Sequence, residues 1–141
     1  MSIKSFIGVI ILGLSLGLAA CSSGQTNANQ PVTVKVTATE YSFQSSLTTF
    51  KVGVPYHFEV TNAGKVEHEF MLVKPISAGT MEMEEMDDMA LAHIEEDDLR
   101  PGTTQSFDYS FTEPAPAGQL EFSCHLAGHY EAGMRLPITV Q

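Results

Sequence analysis

Apolar and polar residues alternate along most of the chain from Val32 onward. Val32, Val34, Val36 and Ala38 interleave with Thr33, Lys35, Thr37 and Thr39. That period of two, rich in β-branched residues, predicts a strand with one buried face. Tyr41 and Phe43 continue the alternation past a bend. Residues 47–52 predict a short strand, Gly53-Val54-Pro55 a turn, and residues 56–61 a strand with Tyr56, Phe58 and Val60 on one face. Residues 62–65 predict a hairpin-like loop. From it residues 66–73 return as a strand with His68, Phe70 and Leu72 on one face. Further on, Phe107, Tyr109 and Phe111 share a face, and residues 113–118 form a stiff Pro-rich turn. Residues 118–124 and 134–140 are the last two strands, the first ending at Cys124, with Pro137 marking an edge or a bulge. About seven short strands separated by Gly and Pro turns argue an all-β sandwich.

Residues 77–100 break this rhythm. Met86, Met89, Ala90, His93 and Ile94 fall at helical spacing, Thr80 can cap the start, and Pro101-Gly102 ends the segment. A short inserted helix with its apolar face on the sandwich is expected. Nine of the chain's 17 acidic residues lie within 82–98, and the net charge is −10. These acids form a solvated face. They argue against a nucleic-acid partner and favour a protein partner with a basic surface. The methionines have two readings: gap-filling packing under the helix, or a soft Cu(I) site built from Met81, Met83, Met86 and Met89 with His93.

At the N-terminus, Lys4 precedes an apolar run from Phe6 to Leu14, then small residues lead to Leu18-Ala19-Ala20-Cys21. The run is too short for a retained span and reads as an export signal over residues 1–20. Leu-Ala-Ala-Cys resembles the bacterial lipobox, which implies cleavage before Cys21 and a lipid on its sulfur. Residues 21–31 are polar, without periodicity, and serve as a flexible linker to one domain over 32–141. Cys124 is then a thiol without a partner in an oxidising compartment. The competing Cys21–Cys124 disulfide would tie a floppy tether to the candidate site.

The chemistry concentrates in residues 124–134, where Cys124, His129 and Met134 follow the spacing Cys-x4-His-x4-Met. Gly128 and Gly133 allow the tight turns that let one loop present all three. His68, far upstream, must arrive from a neighbouring strand. Two imidazoles, a thiol and a thioether are the donor types of a trigonal copper centre with a weak axial Met. His125 neighbours Cys124 and should point to the opposite face of its strand, as a surface residue or one behind the ligands. His57 reads as solvated. A structural zinc site could use the same Cys and His but leaves Met134 idle.

His68-Glu69-Phe70, followed later by the run from Cys124 to Met134, resembles the cupredoxins, the blue-copper family that includes plastocyanin and azurin. The resemblance covers roughly residues 32–141 and implies a cupredoxin-like Greek-key β-sandwich. It implies His68, Cys124, His129 and Met134 as ligands of one type 1 copper ion, Cu(II)/Cu(I). Many cupredoxins carry Asn after the upstream His. Glu69 stands there in this chain and changes the side chain available to hydrogen-bond the ligand loop. The expected function is single-electron transfer by a protein lipid-anchored at Cys21 in the bacterial cell envelope, exchanging electrons with a redox partner. The alternative is periplasmic copper handling or resistance through the Met-rich segment 81–93. An oxidase is not expected: the chain has five His and no His-Cys-His triplet.

Overall fold

The computed structural model describes residues 30–76 and 83–141. The export signal, Cys21, most of the linker, Thr80 and Met81 lie outside the described residues. Within them are nine strands and one short helix. One sheet runs β2 (Ser42–Ser45), β1 (Val32–Thr39), β4 (Pro55–Asn62), β7 (Thr104–Ser110). The other runs β3 (Thr49–Phe50), β9 (Arg135–Val140), β8 (Ala115–Ser123), β5 (Phe70–Val73), β6 (Ala92–Ile94). The chain changes sheet between β2 and β3, β3 and β4, β4 and β5, β6 and β7, and β7 and β8. Both sheets therefore depend on the whole chain.

The alternation read from the sequence becomes the core. Val34, Val36 and Ala38 of β1 and Tyr56, Phe58 and Val60 of β4 are buried, facing Phe70, Leu72, Leu120, Phe122, Ile138 and Val140 of the other sheet. Aromatic rings fill the gap between the sheets. Phe58 stacks on Phe107 at 4.9 Å and 7°. Phe50 sits 5.0 Å from Tyr56, 5.0 Å from Phe111 and 5.7 Å from Phe58. Each fully buried apolar side chain of this size stabilises the fold by roughly 1.5–3 kcal/mol, with up to about 1.5 kcal/mol more per good ring pair. Pro137 is tolerated in β9 because β3 pairs only with Thr139 and Val140, leaving β9 as the sheet edge at that point.

Two expectations change. Residues 62–65 do not make a hairpin: they carry the chain from β4 in one sheet to β5 in the other, and the strand starts at Phe70. His68 therefore precedes its strand. The second concerns the insertion. Helix α1 covers only Met83–Met89, and His93 and Ile94 belong to β6, paired antiparallel with β5. The outer edge of β5 carries backbone groups that need partners, and β6 supplies them; Leu91 also donates its N–H to the Leu72 carbonyl at 2.8 Å. That edge overrides the helical spacing after Met89. Packing of α1 on the sandwich does occur. Met86 is buried against Met71, Val73 and Ile76 on the outer face of β5, whereas Met89 is 48% exposed. Among the described residues no helix is long and apolar enough to cross a membrane.

Because Phe50 anchors four aromatic neighbours from a two-residue strand, Phe50→Ala should lower unfolding free energy by about 3–5 kcal/mol. Urea denaturation of the two forms measures it.

Candidate metal centre

The register of two strands builds the site. β5 runs antiparallel to β8 with Met71 opposite Ser123. The residues just before β5 thus lie beside those just after β8, and His68 meets Cys124 at one end of the sheet. Two left-handed glycines, Gly128 at φ 84° and Gly133 at φ 99°, fold the loop after Cys124 back on itself. Cys124 donates its N–H to the Met134 carbonyl at 3.1 Å, and Met134 donates to the His129 carbonyl at 3.0 Å. His129 donates to the Leu126 carbonyl at 2.8 Å. The spacing Cys-x4-His-x4-Met is the length this compact loop requires.

His68, Cys124 and His129 converge, each offering a ligand atom within 4.8 Å of the others. His68 Nδ1 and His129 Nδ1 lie 3.3 Å apart, and Cys124 Sγ lies 3.3 Å from His129 Nδ1. His129 Nδ1 thus faces both the sulfur and His68 Nδ1. His68, Cys124 and Met134 are fully buried, while His129 is half-buried with the exposed Tyr41 ring edge-on at 5.3 Å. His129 is thus the point of the cluster nearest solvent. Met134 is bonded through its backbone to both Cys124 and His129.

Electrostatics prepare these groups for a cation. Burial pushes the Cys124 thiol up to about 11, although the N–H groups of Glu69 and Leu126 favour the thiolate. A bound cation would stabilise that thiolate inside the protein, and its binding would release the proton. Burial, with help from His129, holds the His68 imidazole below its ordinary range, in the neutral form a metal needs. A thiol and two imidazoles, with a buried thioether on the same loop, fit one copper ion.

The residues that hold the site in place were less visible in the sequence. Asn62, completely buried, donates Nδ2 to the Val66 and Leu99 carbonyls at 2.8 Å each and accepts the Gly64 N–H at 2.8 Å. It folds the crossing that delivers His68. A Cβ on Gly64 would come within 3.2 Å of His68 Nε2, so that glycine lets the backbone approach the ring. Glu69 does reach the ligand loop: its carboxyl group accepts the N–H of His125, next to Cys124. His125 is buried rather than on the surface, 3.0 Å from Ser123 Oγ and stacked on Tyr130 at 4.4 Å, and it takes no part in the donor cluster. His57 pairs with Asp108 across the strands at 2.6 Å on the outer face, away from the cluster. Of the proposed thioether set, Met86 is buried and Met89 exposed, Met81 and the Met83 side chain lie outside the described residues, and His93 stands among carboxylates.

No family model matches the chain. The fold is that of solved cupredoxin structures. Reduced auracyanin from Roseiflexus castenholzii superposes with a TM-score of 0.57 at 18% identity, over 78% of this chain and 97% of that one. Auracyanin A, a "blue" copper protein from Chloroflexus aurantiacus, gives 0.54 at 18% identity, over 79% and 100%. Two curated relatives are each named copper-resistant cuproprotein CopI. That of Rubrivivax gelatinosus is 34% identical over 94 residues, which is 65% of this chain and 55% of the relative. That of Pseudomonas aeruginosa is 27% identical over 94% of each chain. The chain thus spans about half the length of the first relative.

Asn62→Ala should strand the Val66 and Leu99 carbonyls and the Gly64 N–H. We expect a loss of roughly 2 kcal/mol or more in stability. Copper affinity should fall with it while Cys124 stays buried; thermal unfolding with and without Cu(II) checks both.

Proposed function

Starting from a chain with the cupredoxin fold and a buried thiol–imidazole cluster, we propose a type 1 copper protein that carries single electrons. The observation that carries this is the convergence of His68 Nδ1, His129 Nδ1 and Cys124 Sγ in the interior, with one imidazole at the surface. Bound copper would supply one-electron acceptance and release. Cys124, His68 and His129 would hold the ion in this reading, with the buried Met134 thioether as a further, weaker donor. The sheet end and the Asn62-braced crossing hold these side chains in position before the ion arrives. The apolar wall keeps water from the sulfur. His129, beside Tyr41, is where a partner's redox centre would approach. An acidic surface, with net charge −10, suits a partner with a basic face.

Membrane anchoring through a lipid on Cys21, on the outer side of a bacterial membrane, belongs to the same proposal. It rests on the apolar leader and the Leu-Ala-Ala-Cys motif. A second reading, copper handling under copper stress, draws support from the names of the two relatives. The readings separate in the cell. Loss of an electron carrier slows respiratory or photosynthetic electron flow, whereas loss of a handling protein lowers copper tolerance.

The purified protein given one equivalent of Cu(II) should develop an intense blue or green thiolate-to-copper band, reversibly bleached by reductant and absent in Cys124→Ala. Colourless binding that survives Cys124→Ala would remove the type 1 assignment. Cys21→Ala should move the protein from the membrane fraction to the soluble fraction, and unchanged membrane retention would exclude the lipid anchor.

A further inference from the structure

Beside the donor cluster lies a pocket of about 390 Å³ whose polar lining is Glu69, Asp87, His93, Glu95, Glu96 and His125. It exists because β6 pairs with β5: the register Met71–His93 sets His93 next to Glu69, and α1 hangs Asp87 over the ring. Asp87 Oδ1 lies 3.4 Å and Glu95 Oε1 3.9 Å from His93 Nδ1. These three ligand atoms lie within 4.8 Å of one another. On the other side of the ring, Glu69 Oε2 lies 3.7 Å from His93 Nε2.

Three of these atoms are anomalous. Glu69 Oε2, Asp87 Oδ1 and His93 Nε2 are buried without a hydrogen-bond partner among the described residues, and Glu69 is only 1% exposed. Leaving a buried polar atom unpaired costs about 1–3 kcal/mol, more when it is charged. Glu69 Oε2 and His93 Nε2 lie 3.7 Å apart and are within reach of each other. That leaves Asp87 Oδ1, beside His93 Nδ1 and Glu95, as the buried oxygen that a cation in this pocket would pair. Two carboxylate oxygens and one imidazole nitrogen, with no sulfur, are donors for a divalent first-row ion. The Irving–Williams order places Cu(II) ahead of Zn(II) among such ions.

We propose that Asp87, His93 Nδ1 and Glu95 bind a second divalent cation, Cu(II) in preference to Zn(II), with Glu69 positioning the His93 ring. A small tilt of that ring lets Nε2–H donate to Glu69 Oε2, the carboxylate–imidazole–metal arrangement common at such centres. Glu69 then touches both sites, because its other oxygen accepts the N–H of His125 next to Cys124. The second ion sits one side chain away from the ligand loop, where it can serve as a loading position. Its donors are harder than the thioethers considered for the insertion, so it holds the oxidised ion. The competing occupant is a proton: the neighbouring carboxylates, Glu69 first, raise the affinity of His93 for one.

The test uses the full chain already holding one equivalent of Cu(II), titrated with more Cu(II) and followed by EPR and visible absorption. The proposal requires a second equivalent with the wide copper hyperfine splitting of an ordinary Cu(II) site, coupled to a single imidazole, and an unchanged thiolate band. In Asp87→Asn/Glu95→Gln the second affinity should fall about 10–100-fold or more while the thiolate band persists. Both positions are partly exposed, with side chains 35% and 65% accessible, so the fold tolerates them. Calorimetry with Zn(II) on Cys124→Ala reads the carboxylate site when the donor cluster is broken, which separates failure here from failure of the type 1 assignment. No second equivalent, or one indifferent to the double substitution, leaves the pocket to a protonated His93 and overturns the proposal.

Discussion

Antiparallel hydrogen bonding between β5 and β8 brings the residues that lead into one strand beside those that leave the other. With Met71 opposite Ser123, His68 and Cys124 reach the same end of the sheet although 56 positions separate them in the chain. A slip of one residue would turn Phe70 and Leu72 out of the core and Met71 and Val73 into it, and would carry His68 away from the sulfur. The aromatic packing on Phe70, including Phe107 at 5.7 Å and Phe122 at 5.1 Å, holds that register. Core packing and site geometry are therefore one constraint.

The same end of the sheet shows how a protein keeps charged chemistry inside an apolar shell. The Cys124 thiol and the His68 imidazole are both driven toward their neutral forms by burial. A cation reverses that preference for the thiol and leaves the imidazole ready to ligate. Glu69 contributes differently. It replaces the amide that many cupredoxins carry with a carboxyl group, which keeps the hydrogen bond to the ligand loop through His125 and turns a second oxygen toward His93.

Much of this was legible in the residues. Period-two alternation located the long strands, because each buries one face and wets the other, as β4 does from Pro55 to Asn62. The Cys-x4-His-x4-Met loop was legible because its ends and its two left-handed glycines are local. What stayed hidden depends on distant partners. His93 and Ile94 fit a helix by spacing but are claimed by the open edge of β5, which only the folded sheet reveals. Asn62 looked like a turn residue. Its role comes from the Leu99 carbonyl, 37 residues away. Glu69 stands where many cupredoxins carry Asn, and its link to His125 closes only when β5 and β8 pair.

X-ray absorption at the copper edge, on the loaded protein in both oxidation states, reads the ligands of the bound ion. A preformed Cys124, His68 and His129 cluster predicts one short copper–sulfur contact and two imidazole nitrogens, the same set before and after reduction. A first shell of oxygen and nitrogen alone, or a ligand set that changes with oxidation state, would contradict it.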